Sequence, residues 1–379
     1  MSAIPRPPLP YDPRHEYEEE GEQDTKAQLL QTLHGISSTT YKDSGHATRS
    51  VHAKSHGLLR GQLQVLDNLA PELAQGLFAR PGSYPVVMRI STIPGDMLDD
   101  NVSVPRGMAV KVVGVPGTQL STLDSEDNED STASAPAATQ DFVLVNGPVF
   151  QAPTAKKFLG SLKLLASTTD KAPRLKQALS TVLQGAEKAL EAVGGESTLL
   201  KGMGGHPETN VLGESYFSQM PILYGAYMAK VQLVPVSPEL AALKDAPVDL
   251  DGKPNGLREA VVAFFAGHTA IWEVRVQLCR DIDTMPLEDA SVEWKQEDSP
   301  FLPVARITAP PQAGWTEELS RAIDDGMSFT PWHGILEHRP LGSIMRVRKA
   351  AYAMSSRFRF ERTGIEVREP RGVEDLPIV

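Results

Sequence analysis

The sequence predicts an α+β fold: a large antiparallel β-barrel or sheet carrying helical insertions and a long helix close to its C-terminus. Three observations carry that expectation. Apolar strand-like runs come in two batches, YPVVMRIST, GMAVKVVGV and DFVLVN first and IWEVRVQLC and FLPVARITA later, without the regular strand and helix alternation of βαβ units. Two stretches with the apolar spacing of a helix face, AKKFLGSLKLLAS and RLKQALSTVLQGAEKALEAV, are inserted between the batches. Finally, LGSIMRVRKAAYAMSSRFRF, residues 341–360, has no Pro or Gly after Gly342 and consists largely of good helix formers.

With 379 residues the chain has ample material for a buried core, either in two or three average domains or in one large barrel. The hydrophobic share of 41% and charged share of 22% are ordinary for a globular protein. A net charge of -11 argues against a phosphate-binding surface, so nucleic acid is excluded as a partner and a small or neutral substrate is expected. The single cysteine, Cys279, rules out an intrachain disulfide and a cysteine-rich metal site, which points to a reducing compartment. No run approaches about 18 apolar residues and the N-terminus lacks an apolar signal core, so we expect a cytoplasmic protein with no membrane span.

Along the chain, residues 1–24 are Pro-rich and then acidic, and read as an arm lying on a surface or around a neighbouring subunit; residues 25–379 read as one domain. A short helix is expected over Lys26 to Leu33, then a strand in RSVHAKSHGLLRGQLQV that includes His52, then a helical segment in DNLAPELAQGLF. Residues 114–140 are acidic and rich in small residues, which predicts a mobile loop between two strands, and 151–212 form the helical insertion. From Ser215 the pattern returns to strand in YFSQMPILYGAYMAKVQLVPV, followed by the helix LREAVVAFFAG. Neither GxGxxG after a strand nor GxxxxGK occurs, which removes the common nucleotide folds.

The C-terminal helix holds the first chemical signal. Arg348, Tyr352 and Arg359 are spaced by four and then seven residues, so they project from one face and place a phenol between two guanidinium groups. A phenol is neutral near pH 7 and becomes an anionic ligand only where a cation, a metal ion or a guanidinium, stabilises the phenolate. Taken alone, such a helix is better explained by a solvated basic face.

Five separated stretches change that reading. RSVHAK at 49–54, VVMRIST at 86–92, PRGMAVK at 105–111, NGPVF at 146–150, and RKAAY with Arg359 together resemble the haem catalase family, in the same order and with matching internal spacings. SYFSQMPILYGAYMAKVQLVP and SFTPWHGILEHRPLGSI resemble its small catalase-related branch. The resemblance implies a catalase-like antiparallel β-barrel with a C-terminal proximal helix and haem, expected as haem b, as the cofactor. Tyr352 would be the proximal iron ligand, as tyrosine is for catalase in general, with Arg348 hydrogen-bonded to it. Arg49, Arg89 and Arg359 match the arginines that pair with haem propionates, and Val51 would lie against the haem beside the distal histidine. His52 would be the distal acid/base, worth on the order of 100- to 10,000-fold. Ser91 would hold its other ring nitrogen, and Asn146 would orient peroxide through its amide.

The resemblance has departures that bear on substrate. Val51 is the residue catalases carry before the distal histidine, which favours hydrogen peroxide breakdown, with peroxidase activity toward small organic donors as a companion reaction. The acidic residue that precedes PRG in catalases is replaced by Val104, which makes the entrance less polar and keeps open a second reading, conversion of a fatty acid or fatty-acid hydroperoxide. A non-catalytic haem-binding sensor is a third reading, disfavoured by the full set of acid/base residues. The sequence ends 27 residues after Tyr352, so the extra C-terminal domain of larger catalases, and the nicotinamide dinucleotide it often holds, are not expected. The family and the arm together imply a homo-oligomer. Asp96, Asp99, Asp100, Asp281 and Asp283 lack metal-loop spacing, and no metal other than haem iron is expected.

Overall fold

The computed structural model describes residues 6–120, 138–166 and 208–376. Eight antiparallel strands close a barrel: β1 (Ser55–Val65), β2 (Ser83–Thr92), β3 (Arg106–Val113), β4 (Thr139–Val145), β5 (Tyr216–Phe217), β7 (Tyr227–Pro235), β8 (Ala270–Leu278) and β9 (Leu302–Ala309). The pairings β5–β7 and β1–β9 complete the ring, and the short strand β6 (Ile222–Tyr224) hangs on β7 as a hairpin partner. Closure removes the exposed edges that an open sheet of this size would present.

Side-chain alternation sorts each strand between two layers. Met88 and Ile90 of β2, Met108 and Val110 of β3, and Phe142 and Leu144 of β4 belong to the barrel core, together with Trp272 and Ile307. The opposite face of the early strands carries Leu58, Val87 and Val113, which pack against Leu319, Ile323, Met327 and Phe329. Arg89 and Ser91 alternate with Met88 and Ile90 and therefore share the face of Val87. Polar site residues can thus sit on strands whose other side is wholly apolar.

A helical layer covers this outer face. Helix α1 (Glu22–Ser44) packs on α2 (Ala155–Ala166) and on the long final helix, α5 (Ser343–Thr363). Their shared apolar cluster is built from Leu29, Leu33 and Ile36, from Leu159 and Leu162, and from Ile344, Met345 and Val347. Helix α3 (Gly256–Phe265) packs near β1, and α4 (Glu317–Ser320) runs directly into a π-helical turn, Arg321–Asp325. Among the described residues no helix is long and apolar enough to cross a membrane.

The expected strands 84–92, 107–115, 141–146, 271–279 and 301–309 and the helices at 155, 257 and 343 appear with small shifts of boundary. Other expectations need correcting. The first helix is not a short Lys26–Leu33 segment but spans 23 residues, Glu22–Ser44, and so takes in the end of the arm. The arm before it lies along its own chain: Leu9 N–H donates to the Cys279 carbonyl and Tyr11 N–H to that of Ala226. The segment 67–78 holds only a 3-10 turn, Gly76–Phe78, because Pro71 interrupts it and Asn68 and Gly76 adopt positive φ. The run after Ser215 is three strands, broken at Pro221 and turned at Gly225, which has φ +60°. Most of the 114–140 loop, and the second predicted helix of the 151–212 insertion, lie outside the described residues.

Candidate functional site

His52 is the centre of the site, and it is not on a strand. The bend of residues 49–54 precedes β1, and His52 has φ +57°, a left-handed conformation unusual for a residue with a side chain. Such strain persists only where the surroundings enforce it, and it clusters at functional sites. Enforcement here comes from backbone pairing with the loop after β2: His52 N–H donates to the Ile93 carbonyl at 2.6 Å and Ala53 N–H to Pro94 at 3.1 Å.

The imidazole lies on a pair of facing residues. Ser91 on β2 is registered opposite Gly107 on β3, and Ser91 Oγ is 3.1 Å from His52 Nδ1. A side chain on Gly107 would run into the imidazole ring, so the strand needs a glycine at that point. Burial, reinforced by the charges of Arg89, Arg348 and Arg49, pushes the His52 imidazole down from 6.5 to about 3. It is therefore neutral near pH 7, with one nitrogen engaged by Ser91 and the other able to act as base.

Helix α5 supplies the second part. Arg348 and Tyr352 are one turn apart, and Arg348 Nη2 donates to the Tyr352 hydroxyl at 2.6 Å. The helix is tied to the histidine segment by Ser355 Oγ, which accepts from Ser50 N–H at 3.2 Å. Val51, half-buried, packs against the apolar cluster that also receives Ala351 and Met354 of α5. Because the Arg348 charge acts on His52, the phenol and the imidazole belong to one electrostatic neighbourhood.

The third part is an arginine cluster at the far end of α5. Arg89 is 2% and Arg359 4% exposed, and Arg49 joins them from the bend before His52. Arg49 donates to the carbonyls of Ile323, Asp324 and Met327 at 3.1, 2.6 and 2.9 Å, and Arg359 reaches Met327 at 3.4 Å. Burial and the neighbouring Arg89 charge pull the Arg359 guanidinium down to about 10, still well within the charged form near pH 7. Asp324 bonds two of these groups directly: its Oδ1 accepts from Arg89 Nε at 2.6 Å and lies 3.3 Å from Arg49 Nη1. Burial opposes ionisation of Asp324, but the Arg89 and Arg49 charges outweigh it and hold the carboxyl below its usual range.

Asn146 stands just after β4, beside the strand pair under His52. Its Oδ1 accepts from Arg106 N–H at 2.9 Å and its Nδ2 donates to Glu214 Oε2 at 2.5 Å, while the Arg106 guanidinium and Thr209 also bond Glu214. The amide is thus oriented by Glu214.

The residues expected to gather do so in three groups: His52 with Ser91, Arg348 with Tyr352, and Arg49 with Arg89 and Arg359. Asp324 was missed, because an acid in RAIDDG carries no local signal of what it will meet. Gly107 lay inside a quoted motif, and a glycine in an apolar strand is itself a sign of close approach. Among the described residues no cluster of His, Cys, Asp and Glu could hold a metal ion. Asp100 is instead buried against Lys54 at 2.6 Å. His338 is enclosed by Phe78, Phe142 and Tyr224 and accepts from Leu77 N–H at 3.0 Å.

No family model matches the sequence, and no curated protein does. Solved structures do match. A fungal catalase aligns at 17% identity with a TM-score of 0.56, covering 87% of this chain and 63% of its own. A bacterial catalase aligns at 18% identity with a TM-score of 0.55 over 85% of this chain and 59% of its own, and catalase A from Saccharomyces cerevisiae at 18%, 0.55, 85% and 63%. The chain therefore spans about 60% of the length of these structures. Closed barrel, covering helices and these alignments agree, and the chain has the catalase fold.

Proposed function

We propose that the protein is a haem-dependent enzyme that breaks down hydrogen peroxide, with peroxidase activity toward small organic donors. The observation that carries this reading is the hydrogen bond of Arg348 to Tyr352 beside a His52 that is kept neutral by burial, with the Arg89 and Arg348 charges adding to it. A phenol held by a guanidinium, suited to ligate iron, and a neutral buried imidazole, suited to move a proton, are the two groups that peroxide cleavage on a haem would use.

The residues suit a haem. Arg359 Nε is buried without a hydrogen-bond partner, and permanently charged guanidinium groups suit carboxylates, so the cluster can receive them. Tyr352 would ligate iron through its oxygen, Arg49, Arg89 and Arg359 would take the propionates, and Val51 would pack against the ring. Bound haem would supply the two-electron redox chemistry by which one peroxide is reduced to water and a second is oxidised to dioxygen.

His52 accepts a proton from one oxygen of the peroxide and returns it to the other as the O–O bond breaks, so that water leaves. Ser91 fixes the ring plane while this happens. Arg348 stabilises negative charge on the Tyr352 oxygen. Asn146 donates from its amide to peroxide, held in orientation by Glu214 and Arg106.

A second reading, turnover of a fatty acid or fatty-acid hydroperoxide, is favoured by Val104, an apolar residue in the loop that joins β2 to β3. Phe150, Phe158 and Met220, in the apolar cluster against which Val51 packs, point the same way. One experiment separates the two: purified protein reconstituted with haem is given hydrogen peroxide while dioxygen is followed, and a fatty-acid hydroperoxide is run in parallel. Dioxygen release from hydrogen peroxide is expected. Rapid lipid peroxide loss with no dioxygen would overturn the first reading in favour of the second.

A further inference from the structure

The π-helical turn Arg321–Asp325 is the unexplained feature of the arginine cluster. Such turns are rare and recur at functional sites, where they redirect a side chain. This one delivers Asp324 between two elements. Oδ1 takes the Arg89 and Arg49 bonds, while Oδ2 accepts from Ser55 Oγ at 2.6 Å and Ser320 Oγ at 2.8 Å. Ser55 is itself held by the Trp315 indole N–H at 2.9 Å. The neighbouring Asp325 is turned to His46, at 3.1 Å.

Three guanidinium groups this close repel one another, and each side chain has several rotatable bonds to escape by. One carboxylate, clamped by two serines, anchors Arg89 and Arg49, and the carbonyls of Ile323, Asp324 and Met327 fix the terminal nitrogens of Arg49. Asp325 and Glu369 also act on Arg359 by charge, whereas Asp324 is the carboxylate that bonds Arg89 and Arg49 directly. We propose that Asp324 is a positioning residue that holds Arg89 and Arg49 ready for a ligand carrying two carboxylates. The inference rests on the haem reading and adds to it the group that organises the carboxylate end before any ligand arrives, so that binding costs less conformational entropy.

The test is absorbance titration of the ligand-free protein with iron protoporphyrin IX and with its dimethyl ester, in the parent, Asp324→Asn and Ser55→Ala. The parent is expected to prefer the free acid. In Asp324→Asn the free acid should weaken by about tenfold or more while the ester changes by less than about twofold, since only the acid uses the positioned arginines. Ser55→Ala keeps the charge, loosens the clamp, and should shift the same ratio in the same direction by a smaller factor. Equal weakening of acid and ester in both variants would mean a purely structural role, and an unchanged or tighter free acid would equally overturn the proposal. If neither porphyrin binds the parent, the haem reading itself fails, and this inference with it.

Discussion

Arg348 Nη2 and the Tyr352 hydroxyl are joined by a 2.6 Å hydrogen bond across one turn of the final helix. The guanidinium is the donor, so the phenol oxygen is already engaged by positive charge on the side of its own helix. An anionic oxygen ligand is stabilised by that charge more than a neutral one. Tyr352→Phe should therefore lose or misligate haem, seen as a changed absorption spectrum. An unaltered spectrum would count against Tyr352 as the ligand.

His52 offers a cleaner separation of binding from chemistry. His52→Ala should keep haem and lose turnover by on the order of 100- to 10,000-fold. Ser91→Ala removes one hydrogen bond worth about 1 kcal/mol and should cost roughly fivefold. Because His52 is held at about 3, not 6.5, the pH profile of kcat/KM should show no acid limb near 6.5. Such a limb, abolished in His52→Ala, would mean that the imidazole is far less shielded than its burial indicates.

Stability, unlike activity, should respond to acid below about 6.5. Burial holds His52 at about 3 and His338 at about 4, and His56 lies well below 6.5. Their unfolded-state imidazoles take up protons below 6.5 while the folded ones do not, so the unfolded state binds more protons and stability falls as pH drops from 6.5 toward 3. Each such histidine contributes up to about 1.4 kcal/mol per pH unit within its window. Denaturant midpoints measured over this range should fall steadily, and His338→Gln should flatten the slope by one such increment. A slope unchanged by that substitution would remove His338 from the account.

Much of this was legible from the sequence because the strands repeat with period two and the last helix has no breaker. The grouping of Arg348 with Tyr352 follows from helix geometry alone. What was not legible depends on partners distant in the chain. His52 looks like a strand residue until the loop at Ile93 and Pro94 pairs with its backbone and bends it out of line. The span 67–78 has helical spacing, but Pro71 and the positive φ of Gly76 defeat it. Asp324 becomes meaningful only when β1, β2 and the π-helical turn meet.

The outer face of the barrel also holds a buried charge pair away from the site. Lys111 and Asp141 are joined at 2.7 and 2.8 Å with no side-chain exposure, and Glu369 approaches Lys111 at 2.7 Å. Removing one partner strands the other in a dry interior. Lys111→Met should cost about 3–5 kcal/mol, and adding Asp141→Asn should recover part of it. Denaturant unfolding would check both, and a cost below about 1 kcal/mol for the single variant would show that water reaches the pair.

Gly107→Ala tests the position of the imidazole without touching any reacting group. The added methyl would occupy the space of the His52 ring, while the ring's backbone is pinned at Ile93 and its Nδ1 at Ser91. Something has to move, and the ring is the softer element, since Gly107 is registered with both Ser91 and Val145 in the barrel wall. The variant should fold, and should take up haem through α5 and the arginine cluster, neither of which includes Gly107. Turnover should fall by about tenfold or more because a displacement of about 1 Å at a reacting group is costly. Gly107→Ala with unchanged turnover would show that the His52 ring can shift freely and that its contact with the barrel wall does not set its catalytic position.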